Sequence, residues 1–197
     1  MSLTAVGLLL LVGSATSAIV TVTPGVDNLQ TAINAANDGD ELVLDDGTYT
    51  SSTTVTPNAV ASIDSGNGFL PTFITIRARN PLKAIIDGES TRGNFYIVGP
   101  SSYIIVPGNA ISVTLQGLRI IQGAAATSDG GGIFFRNGNL KIVSCVITGN
   151  SATASSWRGG GISINDGDVT VTNSEITSNT SPLGAGVHLT NSNFKAT

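Results

Sequence analysis

Hydrophobic and polar positions alternate along most of this chain, and the alternation comes in short runs. Ile19-Val20-Thr21-Val22-Thr23 predicts a first strand, closed by Pro24-Gly25. The spacing then turns helical once. Leu29, Ala32, Ile33 and Ala36 fall on one stripe, Asp27 or Asn28 is placed to cap its start, and Gly39 to end it. A single short amphipathic helix at this position suits a lid over the end of a stack, where a strand edge would otherwise stay open. From Asp40 onward period two returns. Glu41-Leu42-Val43-Leu44 leads through Asp45-Asp46-Gly47 to Thr48-Tyr49-Thr50, and the segments 74–78 and 84–88 repeat the theme. Two stretches break it. Residues 58–71 are rich in Gly, Ser and Asn and read as a loop leaving the stack; residues 90–110 predict a repeat with a projecting hairpin around Tyr103-Ile104-Ile105-Val106.

Between Asp129 and Asn179 the chain duplicates itself. Gly130-Gly131-Gly132-Ile133, Asn139-Leu140-Lys141-Ile142 and Ile147-Thr148-Gly149-Asn150 return as Gly159-Gly160-Gly161-Ile162, Asp168-Val169-Thr170-Val171 and Ile176-Thr177-Ser178-Asn179. One constant offset carries Gly132 to Gly161, Leu140 to Val169, Ile147 to Ile176 and Asn150 to Asn179. A segment from Val113 precedes the first copy at a slightly shorter offset, Val113 answering to Leu140. A third copy opens at Gly184-Ala185-Gly186-Val187, at an offset shorter again. A repeat of this length, with variable turns and constant strand cores, predicts stacked coils. Side chains alternate across a strand, so three inward stacks follow. Ile133, Phe135, Ile162, Ile164, Val187 and Leu189 form one; Leu140, Ile142, Val169, Val171, Phe194 and Ala196 another; Ile120, Ile147 and Ile176 the third. Asn150 and Asn179 share a turn position, as do Ser144 and Asn173, so stacked amides are expected to satisfy turn backbone there. Leucine-rich repeats have a similar length but want Leu in the core and have no place for a Gly triplet.

Composition narrows the class. Charged residues are 11% and aromatics 5%, against 24 glycines, which fits short strands with many turns. A net charge of −4 with scattered cations excludes a nucleic-acid partner and a polybasic membrane patch. One cysteine, Cys145, leaves no intrachain disulfide. The apolar run Ala5–Gly13 is too short to span a bilayer and exits through Ser14-Ala15-Thr16-Ser17-Ala18. Residues 1–18 therefore read as a signal peptide cut after Ala18, and residues 19–197 as one secreted or cell-surface repeat domain without a transmembrane segment. Thr197 aligns with Thr172 in mid-repeat, so the expectation is a domain that continues into further repeats.

The passage Leu29-Gln30-x-Ala32-Ile33-x-x-Ala36, Gly39-Asp40, Gly47-Thr48-Tyr49, with the segments 74–78 and 84–88 after it, resembles the entry to the pectate-lyase-like superfamily. The resemblance implies an all-β fold, a right-handed parallel β-helix (solenoid) with a short N-terminal capping helix, and it covers residues 27–197 loosely. The Gly-Gly-Gly-Ile and Ile-x-x-Asn repeats are similar to those of the chlamydial polymorphic outer membrane proteins, with Ile147 and Ile176 where Phe is usual and Gly132 and Gly161 where alanine is. That likeness implies surface display or adhesion and carries over no catalytic residue.

Candidate chemistry is sparse. A polysaccharide lyase needs a base and carboxylate-held Ca²⁺, and a glycoside hydrolase needs two spaced carboxylates. Asp166 and Asp168, either side of Gly167, come nearest to a carboxylate pair. Asp-Gly is ordinary turn chemistry, and Ca²⁺ binding is their second candidate role. His188 is expected outward in a column with Phe134 and Ser163, without a carboxylate to orient it for catalysis. Cys145 aligns with Ser174 as a small stacked side chain. Trp157-Arg158, in the loop before the second Gly triplet, is the candidate sugar-binding pair. Asn179-Thr180-Ser181 is a glycosylation sequon followed by Pro182. The function expected is noncatalytic binding or adhesion to glycans or proteins. The alternatives are a lyase or hydrolase acting on acidic polysaccharide, and a structural spacer.

Overall fold

The computed structural model describes residues 16–52, 58–65, 71–100, 110–125, 129–153 and 158–197. The apolar run before Thr16 and the 103–106 segment lie outside them. In chain order the first elements are strands β1 (Ile19–Val22) and β2 (Gly25–Val26), helix α1 (Asn28–Ala35), and strands β3 (Glu41–Leu44) and β4 (Gly47–Thr50). Next come β5 (Ala59–Asp64), β6 (Phe73–Ala78), β7 (Ala84–Asp87), β8 (Gly93–Val98), β9 (Ile111–Gln116), β10 (Arg119–Ile121) and β11 (Ala124–Ala125). The duplicated region supplies β12 (Ile133–Val143), β13 (Val146–Thr148), β14 (Ser151–Ala152), β15 (Ile162–Thr172), β16 (Glu175–Thr177), β17 (Val187–Thr190) and β18 (Asn193–Ala196).

Parallel pairing between successive repeats gathers these strands into curled ladders that wind into a solenoid-like coil. One ladder runs β2-β4-β7-β10-β13-β16. A second runs β1-β3-β6-β9 into the C-terminal halves of β12 and β15 and on to β18. A third runs β5-β8 into the N-terminal halves of β12 and β15 and on to β17. Strands β12 and β15 serve two faces because each bends at a left-handed residue, Asn137 (φ 60°) and Asp166 (φ 52°); Asn191 (φ 48°) makes the same corner between β17 and β18. Asn and Asp tolerate that conformation where most side chains do not. The duplicated sequence maps onto space without a slip. Ile120 pairs with Ile147 and Ile147 with Ile176, Leu140 with Val169, and Val169 with Phe194.

The core is the bore of the coil. Leu42, Ile74, Ile76, Leu115, Ile133, Phe135, Ile142, Ile147, Ile162 and Ile164 are fully buried. In the last repeat Val187, Phe194 and Ile176 are half-buried against that core, while Leu189 and Ala196 are exposed. Tyr49 brings a phenol into the bore, and its hydroxyl donates to the carbonyls of Val22 (2.7 Å) and Asp45 (2.9 Å).

The loop expected at 58–71 and the ends expected for the helix are corrected, while the first strand forms where expected. Residues 59–64 do not leave the coil: β5 is buried from Ala59 to Ile63 and opens the third ladder. Only Val22 of β1 is buried, because that strand lies at the edge of its ladder. Helix α1 ends at Ala35, before Gly39, and Asp27 occupies its N-cap without a side-chain capping bond. The Asp27 carboxylate reaches across to the Ser52 amide instead (2.7 Å). The helix does work as a lid. Leu29 and Ile33 plug the bore, and the Gln30 amide both accepts from the Ser62 N–H (2.6 Å) and donates to the Ser62 carbonyl (3.1 Å). One side chain thus makes the two bonds a neighbouring peptide would make, and blunts the β5 edge.

The glycine triplets follow from crowding. A Cβ on Gly132 would stand 2.5 Å from the Gly161 carbonyl oxygen and 3.0 Å from Asn150 Nδ2; on Gly161 the corresponding neighbours are Gly186 O (2.5 Å) and Asn179 Nδ2 (2.9 Å). Each of these glycines makes room for the asparagine amide of its own repeat. One repeat earlier the pair is exchanged. Asn94 stands in the Gly132 column, and Gly123, whose Cβ would lie 2.6 Å from Asn94 Nδ2, stands in the Asn150 column. The result is one continuous ladder, Asn94 Nδ2 to Asn150 Oδ1 (2.9 Å) and Asn150 Nδ2 to Asn179 Oδ1 (3.0 Å).

Candidate binding face

The third ladder carries the most varied side chains on its outer face. Register stacks Ser62, Tyr96, Phe134, Ser163 and His188 in one column. Two residues further along the same strands, Asp64, Val98, Arg136, Asn165 and Thr190 form the next. The Tyr96 and Phe134 rings stack, with centroids 5.1 Å apart and planes 18° apart, a geometry worth about 1 kcal/mol beyond burial. Phe134 is 9% exposed and braces Tyr96, which is half-buried. His188, Arg136, Asn165 and Thr190 are also half-buried, and the His188 Nε2 to Thr190 Oγ1 distance is 3.4 Å.

His188, Phe134 and Ser163 do share a column, as the repeat predicts, but the column is not an open surface. Ser163 and Ser62 are buried beside Phe134. The Ser163 hydroxyl and the Arg136 Nε atom are both shielded from water without a hydrogen-bond partner. The aromatic doublets Phe95-Tyr96 and Phe134-Phe135 are the available signal, since one ring of each must leave the core when the other enters it. Tyr96 and Arg136 are the site residues that sequence reasoning does not select.

The predicted site residues are placed differently. Trp157 lies outside the described residues. Arg158 is exposed and bridged to Leu183, and its backbone N–H donates to Asp129 Oδ1 (2.7 Å). Asp166 and Asp168 are both exposed, at and just after the corner of β15. Asp166 Oδ1 accepts from Asn191 Nδ2 (3.3 Å) and Asp168 Oδ1 from Asn193 Nδ2 (2.7 Å). Each is therefore engaged with the next repeat. Among the described residues, no three His, Cys, Asp or Glu side chains gather as a metal site would require. Cys145 is buried. Burial pushes its thiol up to about 11, its N–H donates to Ser174 Oγ (3.0 Å), and its thiol faces the carbonyls of Leu115 and Val143. A thiol held neutral in this way is a poor nucleophile. The Asn179 amide donates to the Ile147 carbonyl (3.0 Å) and its oxygen accepts from Asn150, so the sequon side chain is committed to the ladder.

The other outer faces carry surface pairs. Arg77 pairs with Glu41, Arg79 with Asp45, and Asn80 donates to Asp46. Among the described residues no helix is long and apolar enough to cross a membrane. The chain matches no protein-family model, no curated protein and no solved structure at a significant level.

Proposed function

We propose that this chain is a secreted or cell-surface right-handed parallel β-helix of the pectate-lyase-like kind, and that it binds a glycan without cleaving it. The observation that supports the reading is the outer face of the third ladder. A half-buried Tyr96, with one ring face stacked on Phe134 of the neighbouring strand, stands on the same outer face as the half-buried polar groups of Arg136, Asn165, His188 and Thr190. A ring face beside hydrogen-bonding groups matches a sugar, which is apolar on its C–H face and polar at its rim. Secretion rests on the apolar run Ala5–Gly13 and its small-residue exit.

Calorimetric titration with a panel of neutral and acidic oligosaccharides tests the reading. Saturable binding is expected, weakened at least about tenfold by Tyr96→Ala, which corresponds to about 1.4 kcal/mol. Incubation with acidic polysaccharides, with and without Ca²⁺, is expected to leave them intact. Absence of binding to every sugar contradicts the proposal. Growth of unsaturated-uronate absorbance makes the chain a lyase and contradicts the noncatalytic reading.

A further inference from the structure

Asp40 lies at the rim of the coil, between α1 and β3, and is 3% exposed. Its carboxylate accepts two hydrogen bonds, from the backbone N–H of Ala18 to Oδ1 (2.7 Å) and from the backbone N–H of Asn37 to Oδ2 (2.8 Å). These donors, Ala18 foremost, hold its carboxyl below the usual carboxylate range. Among the described residues no Lys or Arg forms an ion pair with it. The two amide donors already favour the charged carboxylate, and a positive charge on one of those donors would strengthen that bond further. The atom placed to supply one is the nitrogen of Ala18. The Ala18 carbonyl is also engaged, accepting from the Glu41 N–H (2.8 Å).

The small-residue exit of the leader permits more than one cut. Thr16-Ser17-Ala18 ends in a small residue, and so does Ala15-Thr16-Ser17 one residue earlier. The two products differ at the Asp40 contact. A cut after Ala18 removes both backbone groups that dock against β3 and Asp40. A cut after Ser17 keeps them and converts the Ala18 amide into an α-ammonium at the same short distance from the carboxylate oxygen. Charge-assisted bonds of this kind are roughly twice as strong as neutral ones.

We infer that the signal peptidase cuts the Ser17–Ala18 bond, and that the new α-ammonium of Ala18 pairs with Asp40 to lock the first strand onto the coil. This rests on the secreted reading above. The reaction is hydrolysis: water adds its oxygen to the Ser17 carbonyl carbon, the C–N bond breaks, and the released amine takes up the proton. It acts on the extended precursor, before β1 pairs with β3.

The test is the mass of the full chain recovered from the medium of a secreting host. A product that begins at Ala18 supports the inference. A product that begins at Ile19 or Thr16 overturns it and leaves secretion standing. A full-length chain retained in the cell overturns both. A second measurement is independent of the host enzyme. In protein beginning at Ala18, acetylation of the α-amine is expected to lower the thermal midpoint by about 3 °C, and in Asp40→Asn to leave it unchanged. An equal effect in both backgrounds, or none in the wild type, contradicts the ion pair.

Discussion

Asn150 is 1% exposed, and its side chain serves four partners. Its oxygen accepts from Asn94 Nδ2 and the Gly123 N–H, and its nitrogen donates to the Ile120 carbonyl and Asn179 Oδ1. Removing the amide leaves donors and acceptors buried without water, at about 1–3 kcal/mol each. Asn150→Ala is therefore expected to cost about 3 kcal/mol in urea unfolding, and a loss below about 1 kcal/mol would contradict the ladder. The sequence shows part of this. The shared position of Asn150 and Asn179 is plain in the repeat, because equal spacing implies equal environment. Asn94 is not, since it occupies a glycine's column and its partner column holds Gly123. An exchange of two residues between facing columns preserves volume but not pattern, and a one-dimensional reading sees only pattern.

At the scale of elements, α1 shows how a helix closes a sheet. Its apolar stripe reads directly from Leu29 and Ile33, and both are fully buried. The polar half of its role does not. Gln30 looks like any exposed helix residue until β5 is found beside it, and β5 is itself hidden by its Gly-, Ser- and Asn-rich surroundings. Gln30→Ala should cost about 1 kcal/mol and speed hydrogen exchange at the Ser62 amide; unchanged exchange there would show that the edge is protected otherwise. The rim of this lid also sets the acid response. Hydrogen bonds from Ser52 to Asp27, and from Ala18 and Asn37 to Asp40, lower both carboxyls in the fold. The unfolded chain then binds more protons, so stability is fully present above about pH 4 and falls as acid protonates the folded groups. Asp27→Asn with Asp40→Asn should flatten the acid limb of a stability–pH curve, and an unchanged limb would assign it to other carboxylates.

For the whole molecule, the decisive variable is depth along the coil. Ile147 is fully buried between Ile120 and Ile176, whereas Ile176 is half-buried. Ile147→Asp should cost more than about 4 kcal/mol by burying an unpaired carboxylate, and Ile176→Asp less than half as much. Equal losses would contradict the graded burial. The stack itself is legible because every landmark of the duplication moves by one offset. The outer face of the third ladder is not. Phe134, Ser163 and His188 fall in one column as the repeat predicts, but alternation says only which way a side chain points, and nothing about what shelters it.

Residues one repeat apart in sequence are neighbours in space. Thr148 and Thr177 pair across β13 and β16, with hydroxyls 3.4 Å apart. Strands about 4.8 Å apart fall within the Cα separations a disulfide spans, whereas separations above about 7 Å do not. With Cys145→Ser removing the native thiol, oxidation of Thr148→Cys with Thr177→Cys should close one intrachain disulfide in the folded protein. Thr148→Cys with Glu175→Cys should not, because the slippage along the strand exceeds that reach. Cross-linking of the first pair alone is the predicted result. Failure of the first pair, or equal cross-linking of the second, would contradict the parallel register of β13 and β16.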